Sequence, residues 1–151
     1  MPRYVLDTNL YVRATRSDEW NGALEAFYAS FAPFVYLHSV VATELLAGCT
    51  NDLLERRTQT RFIEPFEARG RVVTPSHGAW KRSGRLIATL VSQKRISPKG
   101  IQRSFLNDCL IATSAREHGF TLITENLADF ELIRTVTPVD VVPPWPERPE
   151  A

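Results

Sequence analysis

The stretch Phe105-Leu-Asn-Asp-Cys-Leu-Ile-Ala-Thr-Ser-Ala-Arg-Glu-His-Gly119 decides what kind of fold this sequence makes. Phe105, Leu106, Cys109, Leu110, Ala112 and Ala115 recur at three- and four-residue intervals, the spacing of the buried face of an amphipathic helix. Ser104 suits the N-cap, Arg116 and His118 suit the negative C-terminal end, and Gly119 suits the position after it. The spacing therefore predicts a helix from about Phe105 to His118, with Asp108 in its first turn among apolar neighbours. Burying a lone carboxylate costs several kcal/mol unless something positive compensates it. No obvious base is paired with Asp108. Either it points to solvent at the helix start, or it faces a cleft that holds a cation.

Two other acids raise the same question. Tyr4-Val-Leu6 reads as a short buried strand that ends in Asp7-Thr8-Asn9. A carboxylate at the carboxyl end of a strand lies where α/β sheets build their sites. Val35-Tyr-Leu37 is a second strand, followed by the helical run Ser39 to Gly48, in which Glu44 stands between apolar neighbours. Three such carboxylates make a candidate hard-cation site, and oxygen ligands of this kind suit Mg2+ or Mn2+. Taken singly, each acid is equally well a cap or a solvated residue. Their recurrence carries the argument.

The remaining pattern alternates in the same way. Leu10 to Val12 begins a short helix, and Ala23 to Phe31 form another that stops at Pro33. Asp52 to about Ala68 is helical and highly charged, with Pro65 as a break. Arg71 to Thr74 is a strand. Ser76 then caps a long helix to about Lys94, with Trp80, Leu86, Ile87, Leu90 and Val91 on its core side. Phe120 to Thr124 and Val139 to Val142 are strands, separated by a short helix that opens near Asn126 and Asp129. Strands alternating with helices mean an α/β fold, a parallel sheet of four to five strands with helices on both faces. Residues 1–142 form the domain, and 143–151 are a proline-rich C-terminal tail that cannot be helical.

At 151 residues the chain suits one domain, and its 44% hydrophobic and 23% charged content is that of a globular protein. No apolar run approaches the ~20 residues that span a bilayer. The N-terminus lacks a signal-peptide core, and Cys49 and Cys109 follow no metal-binding spacing, so a reducing cytoplasm with both thiols free is expected. Net charge is only +1, but it is unevenly spread: residues 51–103 carry +8 and the remainder −7. Solvated helix faces are the plainer account of such a run. Beside an acidic metal cleft it points instead to phosphate contacts, with Lys94, Arg95, Lys99 and Arg103 nearest the Asp108 helix.

Four segments, taken in order, resemble a known family. They are Leu6-Asp-Thr-Asn9, Ala42-Thr-Glu-Leu-Leu-Ala-Gly48, Asn107-Asp108 through Gly119, and Leu122-Ile-Thr-Glu-Asn126-Leu-Ala-Asp129-Phe130. The chain is similar to the PIN-domain ribonucleases, and most of all to the VapC toxins of bacterial toxin–antitoxin pairs. The resemblance implies a three-layer α/β/α fold and magnesium-dependent cleavage of RNA loops, leaving a 5′-phosphate and a 3′-hydroxyl. It implies a cognate antitoxin and a homodimer. Asp7, Glu44 and Asp108 would match the acids around the metal, and Asn126 the fourth position, with Asp129 the other candidate there. Thr8, Asn9 and Thr124 would hold the acids in place, and His38, His77 and His118 receive no catalytic role. Two rivals remain. A haloacid-dehalogenase-like phosphatase would want a second Asp where Asn9 stands, and a non-catalytic RNA-binding module would use the acids only as caps.

Overall fold

In the computed structural model, which describes residues 2–147, the first half runs β1 (Arg3–Leu6), α1 (Thr8–Arg16), α2 (Asp18–Phe31), a 3-10 turn (Ala32–Phe34), β2 (Val35–His38), α3 (Ser39–Ala47) and α4 (Asp52–Thr58). A π-helical turn (Gln59–Ile63), α5 (Glu64–Ala68), β3 (Val72–Val73) and α6 (His77–Ser92) follow. A second 3-10 turn (Pro98–Gly100), α7 (Arg103–His118), β4 (Phe120–Ile123), α8 (Leu127–Arg134) and β5 (Asp140–Val142) complete the order. The five strands form one parallel sheet in the order β3-β2-β1-β4-β5, flanked by helices as the expected α/β/α fold requires. Tyr4 lies opposite Val35 on one side of β1, and Leu6 lies opposite Ile123 on the other. Val5, Leu6, Leu122 and Ile123 are completely or almost completely buried, as apolar strands covered on both faces must be. The chain leaves β1 in one direction across the sheet and returns in the other at β4. Asp7 and Thr124 follow these two strands directly.

The deciding helix is more central than its spacing suggested. Asp108 through Ala115 are eight consecutive buried residues, so α7 is covered on every side and has no polar face there. It also begins earlier. Ser104 is not the N-cap; Gln102 occupies that position with no side-chain bond, and its carbonyl receives the N–H of Phe105 and of Leu106. Asp108 thereby moves out of the first turn and into the second. Gly119 ends the helix as expected, with φ of 71°, a conformation that glycine adopts without penalty.

Other expectations shift for local reasons. The first two helices are longer than read, because Asp7 and Ser17 cap them: Asp7 accepts from Thr8 N–H and Ser17 from Trp20 N–H. Pro65 does not end the 52–68 run. It sits in the first turn of α5, where its missing N–H has no partner to lose, and the π-helical turn before it absorbs the change. α6 is capped by Ser76 as expected, but Trp80 is not in the core. The buried stripe is Ala79, Ser83, Leu86 and Leu90, and small residues at 79 and 83 let α6 approach α7 closely. There the hydroxyls of Ser83 and Thr113 meet at 3.1 Å. Both cysteines are free; Cys109 is buried in α7, whereas Cys49 lies just beyond α3. Of the proline-rich tail, residues 143–147 are non-helical, and Trp145 packs on Phe27 and Trp20 of α2. Residues 148–151 lie outside the described residues.

Candidate functional site

Asp7 is the first residue past β1, and its backbone N–H continues the sheet by donating to Ile123 O at 2.9 Å. Its Oδ1 caps α1 by accepting from Thr8 N–H at 2.8 Å. Its Oδ2 accepts from the buried Thr124 hydroxyl at 2.7 Å and, more distantly, from Asn9 Nδ2 at 3.4 Å. Thr124 also receives the Asn126 N–H at 2.9 Å, so one hydroxyl fixes both Asp7 and the start of the β4–α8 turn. Asn126 Nδ2 then reaches Asp108 Oδ2 at 3.5 Å and Asp129 Oδ2 at 3.0 Å. On the other side, the Thr8 hydroxyl donates to Glu44 Oε1 at 2.8 Å. Asp7, Glu44, Asp108, Asn126 and Asp129 are thus linked through Thr8 and Thr124 at the carboxyl ends of β1 and β4. That is the point where the strand order reverses, the usual place for a site in an open parallel sheet.

Electrostatics sets this cluster apart from a set of caps. Burial pushes the Asp108 carboxyl up to about 8, and the neighbouring charges of Asp7, Asp129 and Glu44 push in the same direction. Burial also raises Asp7, against the stabilising bonds from Thr124 and Thr8, with Glu44 and Asp129 adding repulsion. Desolvation and the charges of Asp108 and Asp129 lift Cys109 to about 12, so its thiol is inert. No cationic side chain donates to Asp7 or Asp108 among the described residues; the nearby Arg13 pairs at 2.5 Å with Glu125 instead. Asn9 Oδ1 is buried without a hydrogen-bond partner beside Asp7. Buried carboxylates that repel one another, next to an orphaned oxygen acceptor, have the donor chemistry of a hard cation site. Among the described residues, no three His, Cys, Asp or Glu side chains stand ready to close on an ion together. Magnesium does not demand that, because it keeps several waters and takes one or two carboxylates.

The cationic residues singled out in the sequence lie along one path. Lys94, in left-handed backbone at φ of 58°, and Arg95 follow the end of α6. Lys99 sits in the 3-10 turn and Arg103 opens α7, and all four are exposed. Ile96, Ile101, Gln102 and Ser104 of this link line a cleft of about 230 Å³ whose opposite wall includes Asp129 and Leu132. The link therefore borders the acidic cluster. His77 and His118 stand away from it, and His38 has a structural task that its sequence context did not signal. Its Nδ1 accepts from Val40 N–H, which caps the helix that carries Glu44. Burial lowers its pKa to about 4, keeping the ring neutral and able to accept.

The family model described as PIN domain matches residues 4–134. Similar solved structures include DNA-bound VapBC from Salmonella typhimurium, with 21% identity, 95% of this chain and 98% of that chain covered, and a TM-score of 0.68. FitAcB from Neisseria gonorrhoeae is 21% identical over 94% of this chain and 98% of that chain, with a TM-score of 0.66. VapBC2 from Rickettsia felis, bound to a DNA fragment from their promoter, is 26% identical over 95% of this chain and 98% of that chain, with a TM-score of 0.63. No curated protein matches the chain. Among the described residues, no helix is long and apolar enough to cross a membrane.

Proposed function

The chain belongs to the PIN domain family, and from that premise we propose that it is a divalent-metal-dependent endoribonuclease, the toxin of a toxin–antitoxin pair. PIN domains are nucleases; RNA as substrate, magnesium or manganese as cofactor, a homodimer and neutralisation by a cognate antitoxin belong to the proposal. The observation that carries it is the buried Asp7–Asp108 pair with no cationic partner, at the point where the strand order reverses. The solved VapBC and FitAcB structures support an antitoxin partner, since those proteins resemble this chain over nearly its whole length. Membership also leaves the phosphatase reading without support.

Asp7 and Asp108 would hold the cation, with Glu44, Asp129 and the Asn126 amide oxygen close enough to join through water. When bound, the cation neutralises charge on the phosphodiester and acidifies water. The protein's own part is to keep these oxygens in place. Thr124 fixes Asp7 Oδ2, and Thr8 fixes Glu44 Oε1, leaving the second Glu44 oxygen to accept a proton from the attacking water. Asn126 donates to both Asp108 and Asp129 and so moderates their repulsion. Lys94, Arg95, Lys99 and Arg103 bind the RNA backbone at the rim. Phosphate contacts of this kind position a strand without reading its bases.

The test is cleavage of a pool of cellular RNA by the purified chain with magnesium, with manganese and with excess EDTA. Cleavage that needs either metal, leaves 5′-phosphates and is abolished in Asp7→Asn is the expected result. Cleavage that persists in EDTA would sink the metal mechanism.

A further inference from the structure

Between Glu67 and Asp108 the sequence holds nine Lys and Arg residues and no Asp or Glu. α6 carries three of them, Lys81, Arg82 and Arg85, all exposed. Arg82 meets Glu117 at 3.0 Å. Among the described residues, Lys81, Arg85, Lys94, Arg95, Lys99 and Arg103 have no ion-pair partner. In the middle of this surface Trp80 is 52% exposed. Residues four apart share a helix face, so position 84 is the neighbour of Trp80 on its C-terminal side. That residue is Gly84, and a Cβ placed there would meet nothing within 4 Å. The Trp80 ring is left uncovered on a face whose charge has one sign.

The placement ties this face to the candidate site. α6 packs on α7 through Ser83 and Thr113, while Ser76 and Arg82 reach Glu117. These contacts set α6 antiparallel to α7, so Trp80, three residues before Ser83, stands level with about Arg116, and Asp108 lies about 12 Å from it along the helix axis. The C-terminal end of α6 leads through Lys94 and Arg95 to the Lys99–Arg103 link at the rim. An aromatic face for a base, with cations beside it for phosphates, is how single strands are held without sequence preference. A second copy of the chain is the poorer occupant. Pairing this face with itself sets Lys81 and Arg85 against their own counterparts, and like-charge juxtaposition opposes association.

We propose that the outer face of α6 is a secondary track for single-stranded RNA, with Trp80 stacking on a base a few nucleotides from the cut site and Lys81 and Arg85 taking nearby phosphates. The proposal rests on the RNA-cleavage reading above and extends its substrate to a strand that continues from the rim along α6.

The experiment uses a fluorescein-labelled, mixed-sequence RNA of about 16 nucleotides, the upper end of site sizes for single-strand binding folds, with magnesium omitted. Trp80→Ala should weaken binding about tenfold to a hundredfold, the equivalent of one lost stacking contact. Trp80→Phe should retain most of the affinity while losing the RNA-induced quenching of tryptophan fluorescence. Gly84→Leu improves helix propensity, so it should fold at least as well as wild type, yet it should weaken binding by crowding the strand beside Trp80. Wild-type affinity in both Trp80→Ala and Gly84→Leu overturns the track. So does a Trp80→Ala variant that loses only self-association in sedimentation. A wild-type chain that cuts no RNA refutes the cleavage reading instead. Wild-type cleavage with unaffected variant binding refutes the track alone.

Discussion

Replacing Asp108 by Asn should make the metal-free protein more stable, and increasingly so as pH rises. The folded-state pKa of Asp108 is pushed up to about 8 from an ordinary 3.8, by burial first and by Asp7, Asp129 and Glu44 next. Between those two values the folded chain keeps the proton that the unfolded chain has lost. The unfolded state then binds fewer protons, so stability falls as pH increases through this window. About four units at about 1.36 kcal/mol each set a ceiling of about 5 kcal/mol. Water entry and side-chain relaxation lower this, and about 2–3 kcal/mol is the expected gain at pH 8. Asn keeps an oxygen to accept from Asn126 Nδ2, so the substitution removes the charge and little else. For a domain of this size the gain corresponds to a rise in Tm of roughly 4–12 °C. Thermal unfolding by circular dichroism in EDTA, across a pH series from about 4 to 9, would show the two proteins converging at the acidic end and separating at the basic end. Added magnesium should stabilise wild type and leave the variant unmoved. A variant no more stable than wild type at pH 8, or an advantage that shrinks with pH, would refute the account of Asp108 as a strained, cation-seeking carboxyl.

The other expectations concern how the acids are held and how RNA is kept at the rim. Thr124→Val removes the donor to Asp7 Oδ2 and the acceptor for Asn126 N–H, both in a fully buried position, and should cost about 1–3 kcal/mol in urea denaturation. Because the Thr124 hydroxyl favours the ionised form of Asp7, its loss should also move the acidic limb of the pH–rate profile upward; an unmoved limb would show that the bond does not tune Asp7. Lys99 and Arg103 replaced together by Ala should weaken all RNAs alike and reduce the salt slope of binding by roughly 1–2 units. A new cut site with undiminished affinity would make these residues readers of sequence.

Asp7 and Glu44 were legible because each follows a short apolar strand at or soon after the turn into a helix, and Asp108 because it interrupts an apolar helical run. What joins them, Thr8 and Thr124, came only from the family resemblance, because no local pattern pairs these hydroxyls with their acids. Thr124 is 117 positions from Asp7, and Thr8 is 36 positions from Glu44. Those contacts follow from the order β3-β2-β1-β4-β5, which no local pattern encodes. Trp80 misled for a different reason. Its size argues for the core, yet close packing of α6 on α7 needs small residues, and Ala79 and Ser83 supply them while the indole turns outward. Ser104 looked like a cap because helix starts favour serine, but the polar link before it continues the helix by one further residue.

The neutral residue in the cluster bears on what the site can bind. Burial first, and then the charges of Asp7, Asp129 and Glu44, keep Asp108 protonated near neutral pH in the absence of a cation. A fifth carboxylate at position 126 would add repulsion where Asp108 is already the least willing to ionise. Asn126 instead donates to Asp108 and Asp129 at once while contributing no charge. On the proposed reading, a divalent ion held by Asp7 and Asp108 would supply two positive charges, and the Lys99–Arg103 link would supply more beside Asp129. Charge balance at the site would then be shared between the ion and the basic rim, with the substrate phosphate placed where the two meet.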